Sequence, residues 1–238
     1  MSPAPELSGK AAHDNSIVSP DVCVVSFGGE ILHLLPGRAA FLPSRSMLVV
    51  ADVHLGKAQV LRRHGIPVPR GSTGADLARL DDLIARTRCA RLLVLGDLVH
   101  APGDAQAPWR TRLADWRAHW REVEMSVVAG NHDRGEDLAA MGFVPVGESW
   151  QHEGLAFAHA PLPAGARSHR RRARVCGHVH PVAVRSDAVG RLRMPVFWLG
   201  DNQLVLPAFG ALTGGFRIQP AVDDRLFVAG EDAVFPLR

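Results

Sequence analysis

Five stretches of this chain end in side chains able to do chemistry. They are Asp52-Val53-His54, Gly96-Asp97, Gly130-Asn131-His132-Asp133, His159 and Gly177-His178-Val179-His180. Asparagine, histidine and aspartate cost free energy when buried without partners, so rows of them are poor packing material. Taken singly, a histidine or aspartate at a strand end is usually a cap or a satisfied turn residue. Five such groups, each behind an apolar run, are better explained as one site. Ligands of open α/β sheets bind beyond the carboxyl ends of strands, where groups distant in sequence converge. Asp52/His54 and His178/His180 are two positions apart, which in an extended segment puts both side chains on one side. Oxygen and imidazole donors without thiolate suit Mn²⁺, Fe²⁺ or Zn²⁺. Seven such groups are too many for one tetrahedral ion and match two octahedral ions sharing a bridging carboxylate. Ions about 3.5–4 Å apart hold a hydroxide and clamp both oxygens of an in-line displacement at phosphorus.

Hydrophobic patterning shows what must position these groups. Val22–Phe27 and Glu30–Leu35 flank Gly28-Gly29, a two-residue hairpin signal. Met47–Ala51 and Arg91–Leu95 are short apolar runs of the kind found in sheets buried on both faces. Another apolar run, Val123–Ala129, leads into Gly130. A helix is expected from Lys57 through Arg63, then a Gly/Pro loop from Gly65 to Gly74. A second helix follows with Leu77, Leu80, Leu83 and Ile84 at helical spacing. Trp109, Leu113, Trp116 and Trp120 share that spacing in a third helix, which makes them core residues before base-stacking ones. Later segments are shorter and more antiparallel: Phe143–Val146, Ser149–Gln151, Leu155–His159, a hairpin of Arg193–Leu199 with Gln203–Leu206, and a last edge strand at Leu226–Val228. Strand and helix alternating early, then strands late, predict two packed sheets with helices outside.

At 238 residues the chain is long enough for one large domain that buries roughly 70% of its unfolded surface. No repeat or long linker divides it, so residues 21–238 are expected to form a single domain. Met1–Pro20 is rich in Pro, Ser and Ala, lacks an apolar signal-peptide core and reads as a disordered lead-in. No apolar run of about 18 residues is present to span a membrane. Cys23, Cys89 and Cys176 are odd in number and far apart, forming neither a metal knuckle nor a disulfide framework, which points to the cytoplasm. Net charge is only +3, but a pI near 9.1 leaves room for a local basic patch.

The order Asp-x-His, Gly-Asp, Gly-Asn-His-Asp, His, Gly-His-x-His resembles the calcineurin-like binuclear metallophosphoesterase superfamily, over Asp52 to His180. The resemblance implies an α/β fold, a four-layer αββα sandwich of two packed mixed sheets with the metals at its rim. It implies one ion on Asp52, His54 and His180, a second on Asn131, His159 and His178, and Asp97 bridging them. His132 would be the general acid, with Asp133 orienting its ring. An imidazole beside a metal ligand can also reach a leaving oxygen on chemical grounds, because imidazole exchanges a proton near neutrality.

A narrower match covers most of the remaining chain. Asp52-Val-His-Leu-Gly-Lys57, His64-Gly-Ile-Pro-Val-Pro69, Phe197-Trp198-Leu199 and Leu206-Pro-Ala-Phe-Gly-Ala-Leu-Thr-Gly-Gly215 are similar to the bacterial DNA-ligase-associated DNA damage response phosphoesterase/endonuclease family. That likeness implies a manganese-dependent phosphodiesterase acting on DNA in repair, with DNA ligase and helicase repair proteins as partners. His159 departs slightly from the pattern, being followed by Ala160-Pro161 instead of a second polar residue.

Lys57 either neutralises a phosphate oxygen or is an exposed helix-start lysine. His100, three residues past Asp97, is placed to hydrogen-bond a ligand or the substrate. Arg170, Arg171, Arg172 and Arg174 either grip DNA phosphates or form a solvated basic loop. A small phosphodiester, such as a cyclic nucleotide or a nucleotide-lipid, is the rival substrate. A non-catalytic nucleic-acid or repair scaffold is the rival class.

Overall fold

A computed structural model describes residues 19–69, 71–101, 106–152, 154–162, 172–186 and 190–237. The N-terminal lead-in up to residue 18, and Arg170 and Arg171, lie outside the described residues.

The first sheet opens with β1 (Cys23–Phe27) and β2 (Glu30–Leu35), an antiparallel pair. Gly28 and Gly29 carry φ of 60° and 82°, the left-handed conformation that a tight hairpin turn demands at both central positions. β3 (Ala39–Leu42), an addition to the expected strands, leads antiparallel into β4 (Met47–Ala51). Then α1 (Lys57–Arg63) and α2 (Ser72–Thr87) cross to β5 (Arg91–Leu95), and α3 (Pro108–His119) crosses to β6 (Glu124–Val128). β7 (Val144–Pro145) closes that edge, and β4 to β7 run parallel. α2 starts at Ser72, so Gly74 lies inside its first turn and the preceding loop is shorter than expected.

The second sheet contains β8 (Ser149–His152), β9 (Leu155–Ala158), β10 (Ala173–Cys176), β11 (Pro181–Ser186), β12 (Arg191–Leu199), β13 (Gln203–Val205), β14 (Phe216–Arg217), β15 (Arg225–Ala229) and β16 (Val234–Leu237). Its order is β14-β11-β12-β13-β10-β9-β8, with β15 on β12 and β16 on β15. The expected hairpin around Gly200 is present as β12 and β13. The expected edge strand at Leu226–Val228 is not an edge. It is β15, held on both sides, and β16 takes the edge, where the missing N–H of Pro236 is tolerated.

Side chains of β4 to β6 alternate between two cores. Leu92 and Val94 pack on the helices, beneath Leu77, Leu80, Leu83, Ile84, Trp109, Leu113 and Trp116. Leu93, Leu95, Val49 and Ala51 face the second sheet and meet Leu155, Phe157, Val175, Phe197 and Leu206. Trp109 and Trp116 are therefore core residues, and the indole nitrogens of Trp116 and Trp120 both donate to Asp81 at 2.6 Å.

The molecule is the expected sandwich of two packed mixed sheets. α2 and α3 pack on the first sheet, and among the described residues no α-helix falls between β8 and β16. α1 with α2, and α3, supply the crossovers that the parallel neighbours β4, β5 and β6 require. Among the described residues no helix is long and apolar enough to cross a membrane. The three cysteines are free, and burial pushes the Cys176 thiol up to about 12.

Phe157 is fully buried between the sheets, two residues before His159. Replacing it with Ala should lower unfolding free energy by about 3–5 kcal/mol in a urea titration. A cost below about 1 kcal/mol would show that the inter-sheet core does not depend on it.

Candidate metal centre

Every strand-end group falls at one rim of the sandwich. Asp52, Asp97 and Asn131 follow β4, β5 and β6; His159 and His178 follow β9 and β10. Beyond the strands the loops after β4 and β5 continue to pair: His54 N–H donates to the Asp97 carbonyl at 2.8 Å and Leu55 N–H to the Leu98 carbonyl at 2.8 Å. This zipper sets Asp52 and His54 against Asp97 before any side chain acts.

The reason adjacent ligands converge differs from the one expected. Asp52 and His54 have φ of 56° and 52°, and His178 and His180 have 68° and 51°. They are not extended, so the two-residue alternation of a strand does not apply. Among the described non-glycine residues with positive φ, these four and Asp97 outnumber the other three, Arg38, Ser46 and Arg88. Such strain concentrates where the surroundings over-determine the backbone. Here the loop zipper and two side-chain bonds do so. Asp52 Oδ2 accepts from the His178 N–H at 2.8 Å and Asp97 Oδ1 from the His132 N–H at 2.9 Å.

The motif glycines make room for ligands. A Cβ on Gly96 would enter the His159 ring, and one on Gly130 would strike Asp97.

Three sets of ligand atoms result, each within 4.8 Å: Asp52, His54 and His180; Asp97, His159 and His178; and His54, His100 and His132. The first two join groups from both sheets. His159 Nδ1 lies 3.1 Å from the Leu95 carbonyl, which has no proton to give, so the proton sits on Nδ1 and Nε2 presents a lone pair. That lone pair lies 3.0 Å from Asn131 Oδ1, 3.5 Å from Asp97 Oδ2 and 2.9 Å from His178 Nδ1.

These residues fit divalent ions. Asp52 Oδ1, His54 Nε2 and His180 Nε2 are buried without a hydrogen-bond partner, and they are the donor atoms of the first set. Asp52 and Asp97 are 0% and 1% exposed, and among the described residues neither forms an ion pair with arginine or lysine. Buried charge without a partner is costly, and a cation relieves it. Burial, then the nearby Lys57 ammonium, holds His54 down at about 2 and His100 down at about 4. Burial, then His159, also lowers His178. Neutral imidazole is the form that binds metal.

His132 lies beside the first set, its ring centroid 5.0 Å from that of His54. Its expected partnership with Asp133 is absent. Asp133 is buried and accepts from the Val99 N–H at 3.0 Å and the Gly130 N–H at 2.9 Å, tying two site loops together. Burial raises its pKa. His132 Nδ1 instead lies 2.6 Å from the His100 carbonyl oxygen, and the two rings stack at 5.0 Å. His100 Nδ1 in turn lies 3.3 Å from His54 Nδ1.

Lys57 opens α1 partly buried; burial lowers its pKa, and Asp97 and Asp52 oppose that shift. It is not a fully solvated helix-start lysine. Arg172 is exposed, and Arg174 donates to the Ala160 carbonyl at 3.0 Å, one residue past His159.

Three positioning residues escaped the sequence reading: Asp76, Arg79 and Arg38. The Leu206–Gly215 loop lies against the Asp52 backbone, with the Gly210 N–H on the Asp52 carbonyl at 3.1 Å. Asp76 Oδ1 accepts from the Ala211 N–H at 3.0 Å and from Arg79 at 2.8 Å. Arg79 also donates to the Phe209 carbonyl, and Arg38 to the Ala208 carbonyl at 3.2 Å. The local clues are Asp76 at a helix start and Arg79 three residues on; the loop they hold lies 130 to 135 positions away.

Gly96→Ala should displace His159 and lower the metal content of the folded protein, read by elemental analysis. Asp97→Ala should lower it further. Full loading of either variant would overturn the ligand assignment.

Among curated proteins none matches the chain. In solved structures, the Pseudomonas putida nuclease MPE shares 38% identity, with 91% of this chain and 100% of that one covered and a TM-score of 0.77. YfcE, a phosphoesterase from E. coli, shares 16% identity over 79% of this chain and 90% of its own, with a TM-score of 0.42. A protein of unknown function, AQ665 from Aquifex aeolicus, shares 18% over 56% and 78%, with a TM-score of 0.39. The profile for calcineurin-like phosphoesterases matches residues 46–192, which contain every proposed metal ligand. The chain therefore belongs to the calcineurin-like phosphoesterase family.

Proposed function

We propose that this phosphoesterase is a two-metal phosphodiesterase that hydrolyses DNA in the course of DNA repair. The observation that carries the proposal is the pair of ligand sets with His132 beside them, its Nδ1 held by the His100 carbonyl. Divalent ions bound there would supply a nucleophile from water near neutral pH and neutralise charge at phosphorus. The thiolate-free donor set suits Mn²⁺, with Fe²⁺ or Zn²⁺ as alternatives.

The chain's own residues do the rest. Asp97 sits between the sets, 3.8 Å from His54 Nε2 and 3.5 Å from His159 Nε2, in position to serve both. The His100 carbonyl accepts a hydrogen bond from His132 Nδ1–H and leaves Nε2 to exchange a proton with the leaving oxygen. Stacking on the His100 ring limits rotation of His132. Asp133 acts one step further back, by fastening the loops that carry Asp97 and His132. Lys57 brings positive charge toward a phosphate oxygen, and Arg172 and Arg174, with Arg170 and Arg171 in the same run, meet neighbouring phosphates. The likeness to a protein named a nuclease supports a polynucleotide substrate. On this reading the compartment is the cytoplasm and the partners are DNA ligase and helicase repair proteins.

A matrix of Mn²⁺, Mg²⁺, Zn²⁺ and Fe²⁺ against linear DNA, circular DNA, a cyclic nucleotide and an aryl phosphodiester tests the proposal. Hydrolysis of DNA supports it. Activity confined to the cyclic nucleotide would assign a small substrate, and a fully loaded but inert protein would indicate a binding scaffold. His132→Ala should keep both ions and lose roughly 10²–10⁴-fold on DNA, with a far smaller loss on the activated aryl ester. Equal losses on both would remove the acid role.

A further inference from the structure

A short ribbon of strands grows directly out of the metal centre. β11 begins at Pro181, immediately after His180, and the Phe216 N–H of β14 donates to the His180 carbonyl at 3.0 Å. β12 completes the ribbon, pairing with β11 from Val182↔Pro195 to Ser186↔Arg191. Residues directly opposite one another share a face, and faces alternate along each strand. Val182, Val184 and Ser186 are opposite Pro195, Arg193 and Arg191, and Val182 is also opposite Arg217. Arg191, Arg193 and Arg217 therefore lie on one face.

All three arginines are exposed, and the described residues of β11, β12 and β14 contain no Asp or Glu. Arg193 donates to the Gly215 carbonyl, and among the described residues none of the three forms an ion pair. The opposite face carries Phe216, 70% exposed, Leu192, 58% exposed, and Arg185. Positive charge thus has a side. Pro181 to Ser186 spans roughly 17 Å at about 3.3 Å per residue. That matches about five base-pair steps of a duplex at ~3.4 Å each.

We infer that the Arg191–Arg193–Arg217 face is a DNA backbone clamp, holding phosphates outward from the scissile bond along the ribbon that begins at His180. The inference rests on the DNA reading above and extends it to residues outside the Arg170–Arg174 run. Guanidinium groups that have no carboxylate partner among the described residues, on a strand pair, suit phosphate contacts that fix the substrate without reading sequence. Each such contact releases counterions, and that makes the clamp measurable.

The test is fluorescence anisotropy of a labelled duplex on the metal-loaded full chain between 50 and 200 mM salt. The triple variant Arg191→Ala/Arg193→Ala/Arg217→Ala should flatten the slope of log affinity against log salt by about 2.7, at ~0.9 per lost contact. The wild type then loses roughly forty-fold more affinity than the variant over that salt range. The corresponding triple Lys variant should recover most of the slope, which separates charge from folding. Arg121→Ala, which removes one exposed arginine outside the ribbon, should leave the slope unchanged. An unchanged slope in the triple Ala variant, with DNA still bound and cut by the wild type, would overturn the clamp. Wild-type protein that neither binds nor cuts DNA would overturn the DNA reading itself.

Discussion

Asp52 and Asp97 are buried carboxylates faced by imidazoles and by no arginine or lysine ion pair among the described residues. Much of the surrounding architecture can be understood as keeping that arrangement tolerable. Two carboxylates in a protein interior repel each other and lose their hydration, a penalty of several kcal/mol per ion even after relaxation. Backbone amides offset part of it, since each carboxylate accepts one N–H, from His178 and from His132. The remaining oxygens point at ring nitrogens, among them that of His54, which burial keeps neutral. Such a cluster is out of balance alone and balanced with cations. The phosphoester chemistry of the family follows from that imbalance.

The amide bonds to Asp52 and Asp97 require unusual backbone. Left-handed φ at Asp52, His54, Asp97, His178 and His180 turns the chain sharply enough to aim neighbouring side chains at one point. Each such residue costs of order 1–3 kcal/mol. The zipper between the β4 and β5 loops, the Asp133 carboxylate on two amides, and the Asp76–Arg79 grip on the Leu206–Gly215 loop share the task of holding it. These three devices are all polar and lie just outside the donor atoms.

Much of this was legible in the sequence. Met47–Ala51 and Arg91–Leu95 are strands to the residue, because an apolar run bounded by polar groups has few other uses. The ligand set was legible because its members repeat one grammar, an apolar strand followed by Gly, Asp, Asn or His. β3, β11, β14 and β16 were not. β3, β14 and β16 are short, and β11 begins with a proline directly behind a motif. The geometry behind Asp52-x-His54 was misjudged, since residue spacing says nothing about φ. Asp133 was assigned to its chain neighbour when burial had committed it to amides on two loops. Asp76 and its partners were invisible, because a hydrogen bond across 135 positions leaves no local pattern.

Two of the ligand sets draw on both sheets: Asp52 and His54 with His180, Asp97 with His159 and His178. An ion in either position would be a rivet between layers that are otherwise joined largely by apolar contact. With ions bound, the two sheets could not slide or part without breaking coordination, so metal release and opening of the sandwich would be coupled. A chain with only its first sheet formed would hold two of the three groups of one set and one of the three of the other. Full coordination of an ion would therefore require both layers to be docked in register.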